Sequence, residues 1–418
     1  MKRFGRRLQH TPSRRAAGLV GLLAATSLVA CSSSTTAPPH STTQVTYATV
    51  PSAAAGPTTK VGYFYHPPDD PSQNSRIVNR IDWLVFHHDD SPQRVALTSA
   101  GYHHPVFMYL LAMQTSSDHW DNNALWGQSP DPSNPNSSYF DDALKQHPDW
   151  FLHDQYGQLI KSDYYWMDPG SPGWRQFLAT QARSALTQGW GGIFLDNLAV
   201  TFKHPIRDAA LNTAPSGATQ GSPVPWNAAT NTAYTNESFG DQVGSLIATV
   251  HQLAGAPTGK PIWANLTDPT TSYTDQRAKY QPSLDGWMDE GFASTFEKTQ
   301  FPTVDQWNTM MSRADVAPTK GKSQILVGQG GEHDRHVQRF TFASYLLVQD
   351  ARTIFRYALT TQYRSLWWYP DYDADFGAPK GPRYQLKDGS WRRDYAHGYV
   401  EVNPASHDVT LVVDGTQL

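Results

Sequence analysis

Two stretches of the chain carry carboxylates in a context where they could act on a substrate. Asp196 closes the string Gly189-Trp190-Gly191-Gly192-Ile193-Phe194-Leu195-Asp196-Asn197, and Asp289-Glu290 close Asp285-Gly286-Trp287-Met288-Asp289-Glu290-Gly291-Phe292. In each, a short apolar run ends on an acid, as expected when a buried strand of a parallel sheet delivers a carboxylate to a cleft. Cleavage of a glycosidic bond needs two such groups: one protonates the leaving oxygen, and the other attacks the anomeric carbon or activates water. Successive strand residues point to opposite faces, so only one of Asp289 and Glu290 can join Asp196. Glu290 lies nearer the strand's C-terminal end and precedes Gly291, which makes it the first choice for acid/base, with Asp289 second. Taken alone, Asp196 would equally suit a helix cap or a turn. The matching position of the second carboxylate turns it into a candidate nucleophile or base.

These strings need elements to hold them, and from residue 60 the chain alternates strand and helix patterns. Strand patterns fall at Lys60–His66, Trp83–Phe86, Pro105–Leu111, Ile193–Leu195, Pro261–Leu266, Gly286–Phe292, Gln324–Gly328 and Ser365–Tyr369. Helical patterns lie between them, at Ser91–Ala100, Trp174–Gln188, Phe239–Leu253, Val304–Ala314 and His336–Leu359. The last but two of these spaces Val243, Ile247, Val250 and Leu253 as one face of a helix. Eight strands alternating with helices predict an α/β fold, a (β/α)8 TIM barrel over residues 60–370. In such a barrel the C-terminal strand edge carries the chemistry, and Asp196 and Glu290 both fall on it. Further polar residues at that edge, Asp89, Tyr109, Asn197, Asn265, Gln329 and Tyr369, are candidates for hydrogen bonds to substrate.

Two connections are longer than a barrel requires, from about Ala112 to Gly173 and from Asn197 to about Ser238, and read as cleft walls. The first contains Asp118, Trp120, Trp126, Trp150, Asp163, Trp166 and Asp168. Aromatic residues make up 12% of the chain. Tryptophans in Pro/Asn/Asp/Gly-rich surroundings suit stacking on sugar rings, and Trp166 is a candidate substrate platform. Past residue 370 the pattern changes. Trp391–Tyr395, Tyr399–Asn403 and Val409–Val413 alternate like strands, predicting a small C-terminal antiparallel β appendage over 371–418.

The first 31 residues read as an address. Lys2, Arg3, Arg6 and Arg7 open the chain, an apolar small-residue run follows from Ala16 to Ala30, and then comes Cys31. This is the layout of a signal peptide. Leu28-Val29-Ala30-Cys31 resembles the bacterial lipobox, in which the cysteine is lipidated, so residues 1–31 are expected to be a lipoprotein signal peptide. The expected location is the outer face of the cell membrane, or outside the cell. Residues 32–59, rich in Ser, Thr, Ala and Pro, suit a flexible tether. Cys31 is the only cysteine, so no intramolecular disulfide can form.

The formal net charge of −4 and the lack of a basic stripe argue against nucleic acid as a partner. No G-x-G-x-x-G follows the first strand, so no dinucleotide cofactor is expected. His87-His88-Asp89-Asp90 and His103-His104 invite a metal reading, but neither H-x-H after strand one nor H-E-x-x-H occurs. Asp371-Tyr372-Asp373-Ala374-Asp375-Phe376 departs from a calcium loop, with Phe376 at its sixth position and Pro382 at its twelfth. No metal is expected.

Pro148-Asp149-Trp150-Phe151-Leu152, Trp166-Met167-Asp168-Pro169-Gly170 and Gly189–Asn197, in that order, resemble a bacterial group of hypothetical glycosyl hydrolases built on TIM barrels. Asp285-Gly286 with Glu290 is similar to that group's later strand, and Tyr399–Pro404 to its C-terminal sheet. The resemblance spans roughly residues 60–415. It implies hydrolysis of the O-glycosidic bonds of a polysaccharide or oligosaccharide, with Asp196 on strand four as nucleophile and an acid/base on strand six. The extra acid of Trp287-Met288-Asp289 leaves that last assignment open. Two other readings stand beside it: a non-catalytic surface lipoprotein that binds carbohydrate, and a metal-dependent deacetylase or amidohydrolase on a barrel.

Overall fold

A computed structural model describes residues 59–117, 124–126, 138–161, 164–199, 201, 224–267, 277–295 and 300–418. Residues 1–58, with the expected signal peptide, Cys31 and nearly all of the expected tether, lie outside the described residues, as do Asp118, Trp120 and Asp163. Among the described residues no helix is long and apolar enough to cross a membrane.

Eight parallel strands form one sheet: β1 (Gly62–Tyr65), β2 (Trp83–Phe86), β3 (Val106–Leu111), β4 (Gly192–Ala199), β5 (Ile262–Thr267), β6 (Gly286–Glu290), β7 (Ser323–Gln329) and β8 (Thr353–Ala358). Neighbours in the sheet are neighbours in sequence. A parallel bridge from Val61 to Phe355, with the Phe355 amide donating to the Lys60 carbonyl at 2.9 Å, joins β8 back to β1 and closes the barrel. Both faces of these strands are covered, which is why β2 (WLVF) and β3 (VFMYLL) are apolar or aromatic throughout and buried at every residue. Alternation sorts them. Phe64, Val85, Phe107, Phe194, Met288 and Val327 fill the barrel, while Tyr63, Leu84, Met108, Leu195, Trp287 and Leu326 pack against the surrounding helices.

The glycines that lead into β4 and β6 have a packing cause. A Cβ on Gly192 would come within 2.5 Å of the Phe107 ring, and one on Gly286 within 2.6 Å of the Trp263 indole. Small residues on one strand thus leave room for large rings on the next, in the lower layer of the barrel.

The eighth strand is not where the sequence pattern suggests. It runs Thr353–Ala358, pairing Gln324 with Thr353 through Gln329 with Ala358, while Ser365–Tyr369 is irregular chain packed over it. The preceding helix is correspondingly shorter, Arg335–Val348. It ends where Asp350 Oδ1 accepts from the Arg352 amide (2.9 Å) and from the Thr353 hydroxyl (2.6 Å), a local turn that competes with further helix. Arg356 conceals the strand, because a cation in an apolar run reads as surface. It is fully buried, and it donates to the Ser365 carbonyl (2.7 Å) with its guanidinium over the Tyr63 ring.

The two long connections fold partly on each other. Gln114–Thr115 pairs with Tyr165–Trp166, and His153–Asp154 pairs with Pro225–Asn227 of the second connection. Beyond the barrel, a five-stranded antiparallel sheet runs β9 (Tyr384–Gln385), β10 (Trp391–Tyr395), β11 (Gly398–Val402), β12 (Val409–Val413) and β13 (Thr416–Gln417). It packs against the Arg335–Val348 helix, where Arg393 donates to the Gln349 carbonyl at 2.7 Å.

Candidate active site

At the C-terminal mouth of the barrel, β4 delivers Asp196 and β6 delivers Glu290. Asp196 follows Phe194 and Glu290 follows Met288 on the inward alternation, so both carboxylates point into the mouth above the barrel filling. The same alternation puts Asp289 on the side of Trp287, towards the helices. Asp289 is therefore the weaker of the two acids as a partner for Asp196.

A bulge aims Asp196. Ala264 pairs with Leu195 and Leu266 with Leu198, so Asp196 and Asn197 together face Asn265 alone. Asn197 takes the extra residue's conformation, with φ at 52°, and its amide donates to Gln114 Oε1 at 2.8 Å. Bulges of this kind commonly re-aim a side chain at a functional edge. Asp196 is 6% exposed and accepts a 2.6 Å bond from the Tyr109 hydroxyl on β3.

Glu290 is held by two donors. Asn265 Nδ2 reaches Oε2 at 2.8 Å, and the Tyr363 hydroxyl reaches Oε1 at 2.8 Å. Gln329, at the end of β7, donates through Nε2 to the Tyr363 oxygen at 2.9 Å, and its backbone amide donates to the Ser294 hydroxyl oxygen at 2.9 Å. Burial, followed by the Glu290 carboxylate, holds the Tyr363 phenol well above its ordinary pKa. It therefore stays a neutral donor. Tyr65, at the end of β1, is pushed up in the same way, by burial and then by the charges of Asp196 and Glu290. Its ring lies 4.9 Å from that of Tyr109 and 5.3 Å from that of Tyr363. Beside it, His87 stacks on Tyr109 at 4.6 Å and touches His66 at 3.9 Å, and Asp90 bonds the His66 ring at 2.9 Å.

Of the residues singled out from sequence, Asp196, Glu290, Tyr109, Asn197, Asn265 and Gln329 meet at this mouth. Three others do not join them. Asp89 is 70% exposed and turned to His88, whereas its neighbour Asp90 makes the inward contacts, to His66 and to the His87 amide. Trp166 is 2% exposed and sits in the core around the barrel, as does Trp150, so neither offers a face to a sugar. Their loop-like sequence surroundings misled because the first connection folds back on itself and on the helix after it: Trp166 pairs with Gln114, and Trp150 packs against His147, Trp174 and Phe177. Tyr369 is also buried, donating to the Glu332 carbonyl at 2.8 Å under the Arg335 guanidinium, where it supports the loop after β7. Trp126 is half-buried and stacks on His88 at 4.9 Å. Tyr65, His66, His87 and Tyr363 are the residues that sequence reasoning missed. Tyr65 and His87 could have been found as the terminal residues of strands one and two. Tyr363 lies on a segment whose course depends on the buried Arg356 beneath it.

The histidine pairs cannot converge. His87 and His88 follow β2 at the mouth, while His103 and His104 precede β3 at the opposite end. Among the described residues no group of three or more His, Cys, Asp or Glu side chains is arranged to hold a metal. The acids of the 371–375 loop also diverge: Asp371 pairs with Arg335, Asp373 with Arg80 and the Trp368 indole, and Asp375 with the Gly377 amide. A cavity of about 320 Å³ does exist at the N-terminal end of the barrel, lined by Lys60, Asp82, His104, Trp263, Asp285 and Arg352. Its polar groups serve the fold. Asp82 accepts from the Val61 amide and Asp285 from the Ile262 amide, each at 2.9 Å, and Lys60 donates to the Ala351 carbonyl at 2.6 Å. That end of such a barrel is the stabilising one, and the carboxylates are at the other.

A closed eight-stranded barrel whose mouth gathers two inward carboxylates, each tied to neutral donors, is the architecture of a glycoside hydrolase. The chain belongs to the hypothetical glycosyl hydrolase family 15, whose model matches residues 105–399, more than half of its length. No curated protein matches it in sequence. Among solved structures it is similar to the glycoside hydrolase domain of PelA from Pseudomonas aeruginosa, at 14% identity over 76% of this chain and 97% of that one, with a TM-score of 0.44. It is also similar to the Thermus thermophilus alpha-galactosidase TtGalA, at 14% identity over 86% and 68%, with a TM-score of 0.45. Aspergillus fumigatus Ega3 matches at 14% identity over 75% and 94%, with a TM-score of 0.41.

Proposed function

We propose that this glycoside hydrolase cleaves a polysaccharide or oligosaccharide with Asp196 as nucleophile or base and Glu290 as general acid/base. The observation that carries the reading is the pairing of an inward Asp196 on β4 with an inward Glu290 on β6, the latter fixed by Asn265 and Tyr363. One strand separates them, so their backbones stand about 9–10 Å apart at ordinary strand spacing. Side chains reaching inward from both then leave a gap into which a glycosidic bond fits. Glu290 in its acid form protonates the departing oxygen. Asp196, steadied by the Tyr109 hydroxyl, attacks the anomeric carbon or takes a proton from water. The bulge supports this division of labour, because it turns Asp196 towards the mouth while its neighbour Asn197 is occupied by Gln114.

The test is incubation of the mature domain with a panel of glycans beside Asp196→Asn and Glu290→Gln, reading released reducing ends. Cleavage by wild type that both variants lose supports the assignment. Binding without product release by wild type refutes it, as does full activity in both variants. The two histidine pairs on which the deacetylase reading rested, His87-His88 and His103-His104, lie at opposite ends of the barrel. We also propose that the enzyme is exported and held at the membrane by a lipid on Cys31. The support is the order of basic start, apolar run and lipobox-like Leu28-Val29-Ala30-Cys31.

A further inference from the structure

Tyr65 stands within electrostatic reach of both carboxylates, with a hydroxyl that no described residue engages. Its ring is packed at the floor of the mouth against Phe64 (4.8 Å), Tyr109 (4.9 Å) and Tyr363 (5.3 Å). Those contacts fix where the ring lies. Tyr109 spends its hydroxyl on Asp196, and Tyr363 spends its hydroxyl on Glu290. Among the described residues no group bonds the Tyr65 hydroxyl, although its oxygen feels both carboxylates. A neutral donor whose ring is fixed beside both carboxylates, with no partner among the described residues, is preorganised for a ligand.

The chemistry of the site narrows what that ligand atom is. A sugar with its anomeric carbon between Asp196 and Glu290 brings three polar positions close to it: the ring oxygen, the glycosidic oxygen and the substituent at C2. The ring oxygen gains positive charge in an oxocarbenium-like transition state, so a donor aimed at it would oppose the reaction. The glycosidic oxygen receives its proton from Glu290. Hydrogen bonds at C2, by contrast, strengthen as that transition state is approached.

We propose that Tyr65 is a third catalytic residue of this site, binding the C2 substituent of the sugar held between Asp196 and Glu290 through its hydroxyl. This rests on the two-carboxylate reading above. Tyr65→Phe keeps the ring and its packing and removes only the oxygen. With an aryl glycoside of whichever sugar the panel identifies, kcat/KM falls about 10²-fold, as when one preorganised donor is removed. The distinguishing measurement repeats the assay with the 2-deoxy analogue. Wild type discriminates between the two substrates by about that same factor more than Tyr65→Phe does, because the variant has no C2 contact to lose. A role in packing alone would lower both substrates equally. Tyr102→Phe, a buried tyrosine at the far end of the barrel, behaves as wild type.

Wild-type kcat/KM in Tyr65→Phe overturns the proposal, and so does a loss with undiminished discrimination at C2. If wild type cleaves no glycan, the hydrolase reading fails separately, and calorimetry with the tightest-binding oligosaccharide of the panel decides on Tyr65. A Kd at least tenfold weaker in Tyr65→Phe than in wild type supports the contact. An unchanged Kd removes it.

Discussion

Tyr363→Phe isolates one hydrogen bond to a proposed general acid and leaves the ring in place. The phenol donates to Glu290 Oε1 at 2.8 Å, so it stabilises the ionised carboxylate. A hydrogen bond to a charged group contributes about 1.5–3 kcal/mol. One pKa unit corresponds to about 1.4 kcal/mol, so losing this bond raises the Glu290 pKa by roughly one to two units. A general acid is active while protonated. The basic limb of kcat/KM against pH, which reports its deprotonation, therefore moves to higher pH by the same one to two units. Gln329 also loses the oxygen that its Nε2 donates to at 2.9 Å, and the accompanying change in stability is measured by denaturant unfolding. Asn265→Ala moves the limb in the same direction, since Asn265 holds the other oxygen at 2.8 Å. The assay is the pH profile with an aryl glycoside for wild type and each variant. A basic limb that stays put or moves to lower pH in both variants would show that Glu290 is not the acid.

Three further outcomes are expected. Asp196→Asn and Glu290→Gln each lower kcat by about 10² to 10⁴ or more without changing the circular dichroism, while Asp289→Asn, on the helix-facing side of β6, stays within a few-fold of wild type. Burial pushes Asp168 from 3.8 up to about 6, against the opposing bonds from Tyr234 (2.6 Å) and the Gly170 amide (2.7 Å). A carboxyl with a raised folded pKa binds more protons folded than unfolded between about pH 4 and 6. Its contribution is therefore full below pH 4 and is lost as pH rises through 6, a swing of about 3 kcal/mol at most. Asp168→Asn should flatten the unfolding free energy across that window relative to wild type, and an unchanged slope would contradict the shift. Cys31→Ser should move the full-length protein from the membrane pellet to the soluble fraction, and unaltered partitioning would count against the lipid anchor.

What the sequence made legible follows from how local each signal is. β2 and β7 could be read because a short apolar run between turn-forming residues suits a strand buried on both faces and little else, and the flanking turns set its ends. Asp196 and Glu290 were legible for the same reason, since each ends such a run. Alternation alone said that only one of Asp289 and Glu290 could face the mouth; that Glu290 is the inward one follows from Met288, two residues before it, in the barrel filling. β8 was not legible, because its centre is Arg356. That cation is tolerated only where it can meet the Ser365 carbonyl and the Tyr63 ring, and nothing in the string Thr353–Ala358 announces either. Misplacing β8 hid Tyr363, whose position follows from the chain that Arg356 ties down.

The tryptophans erred in the opposite direction. Trp150 and Trp166 lie among turn-forming residues, so their surroundings suggested exposure. Yet Gln114 pairs with Trp166, and His153 with Trp226, so the connections form a second packed layer around the barrel. Their aromatic content builds walls. At the mouth the carboxylates are held instead by the hydroxyls of Tyr109 and Tyr363, with the Tyr65 ring between those two rings; the three come from β3, the segment after β8 and β1. A cluster gathered from the two ends of the chain leaves no spacing for a sequence to display. It becomes visible in full only once β8 has closed on β1, because that closure brings Tyr363 beside Tyr65. Barrel closure is thus what draws Tyr65 into the cluster: Tyr109 reaches Asp196 from the neighbouring strand and Tyr363 reaches Glu290 from across β7, whereas Tyr65 meets Tyr363 only in the closed ring.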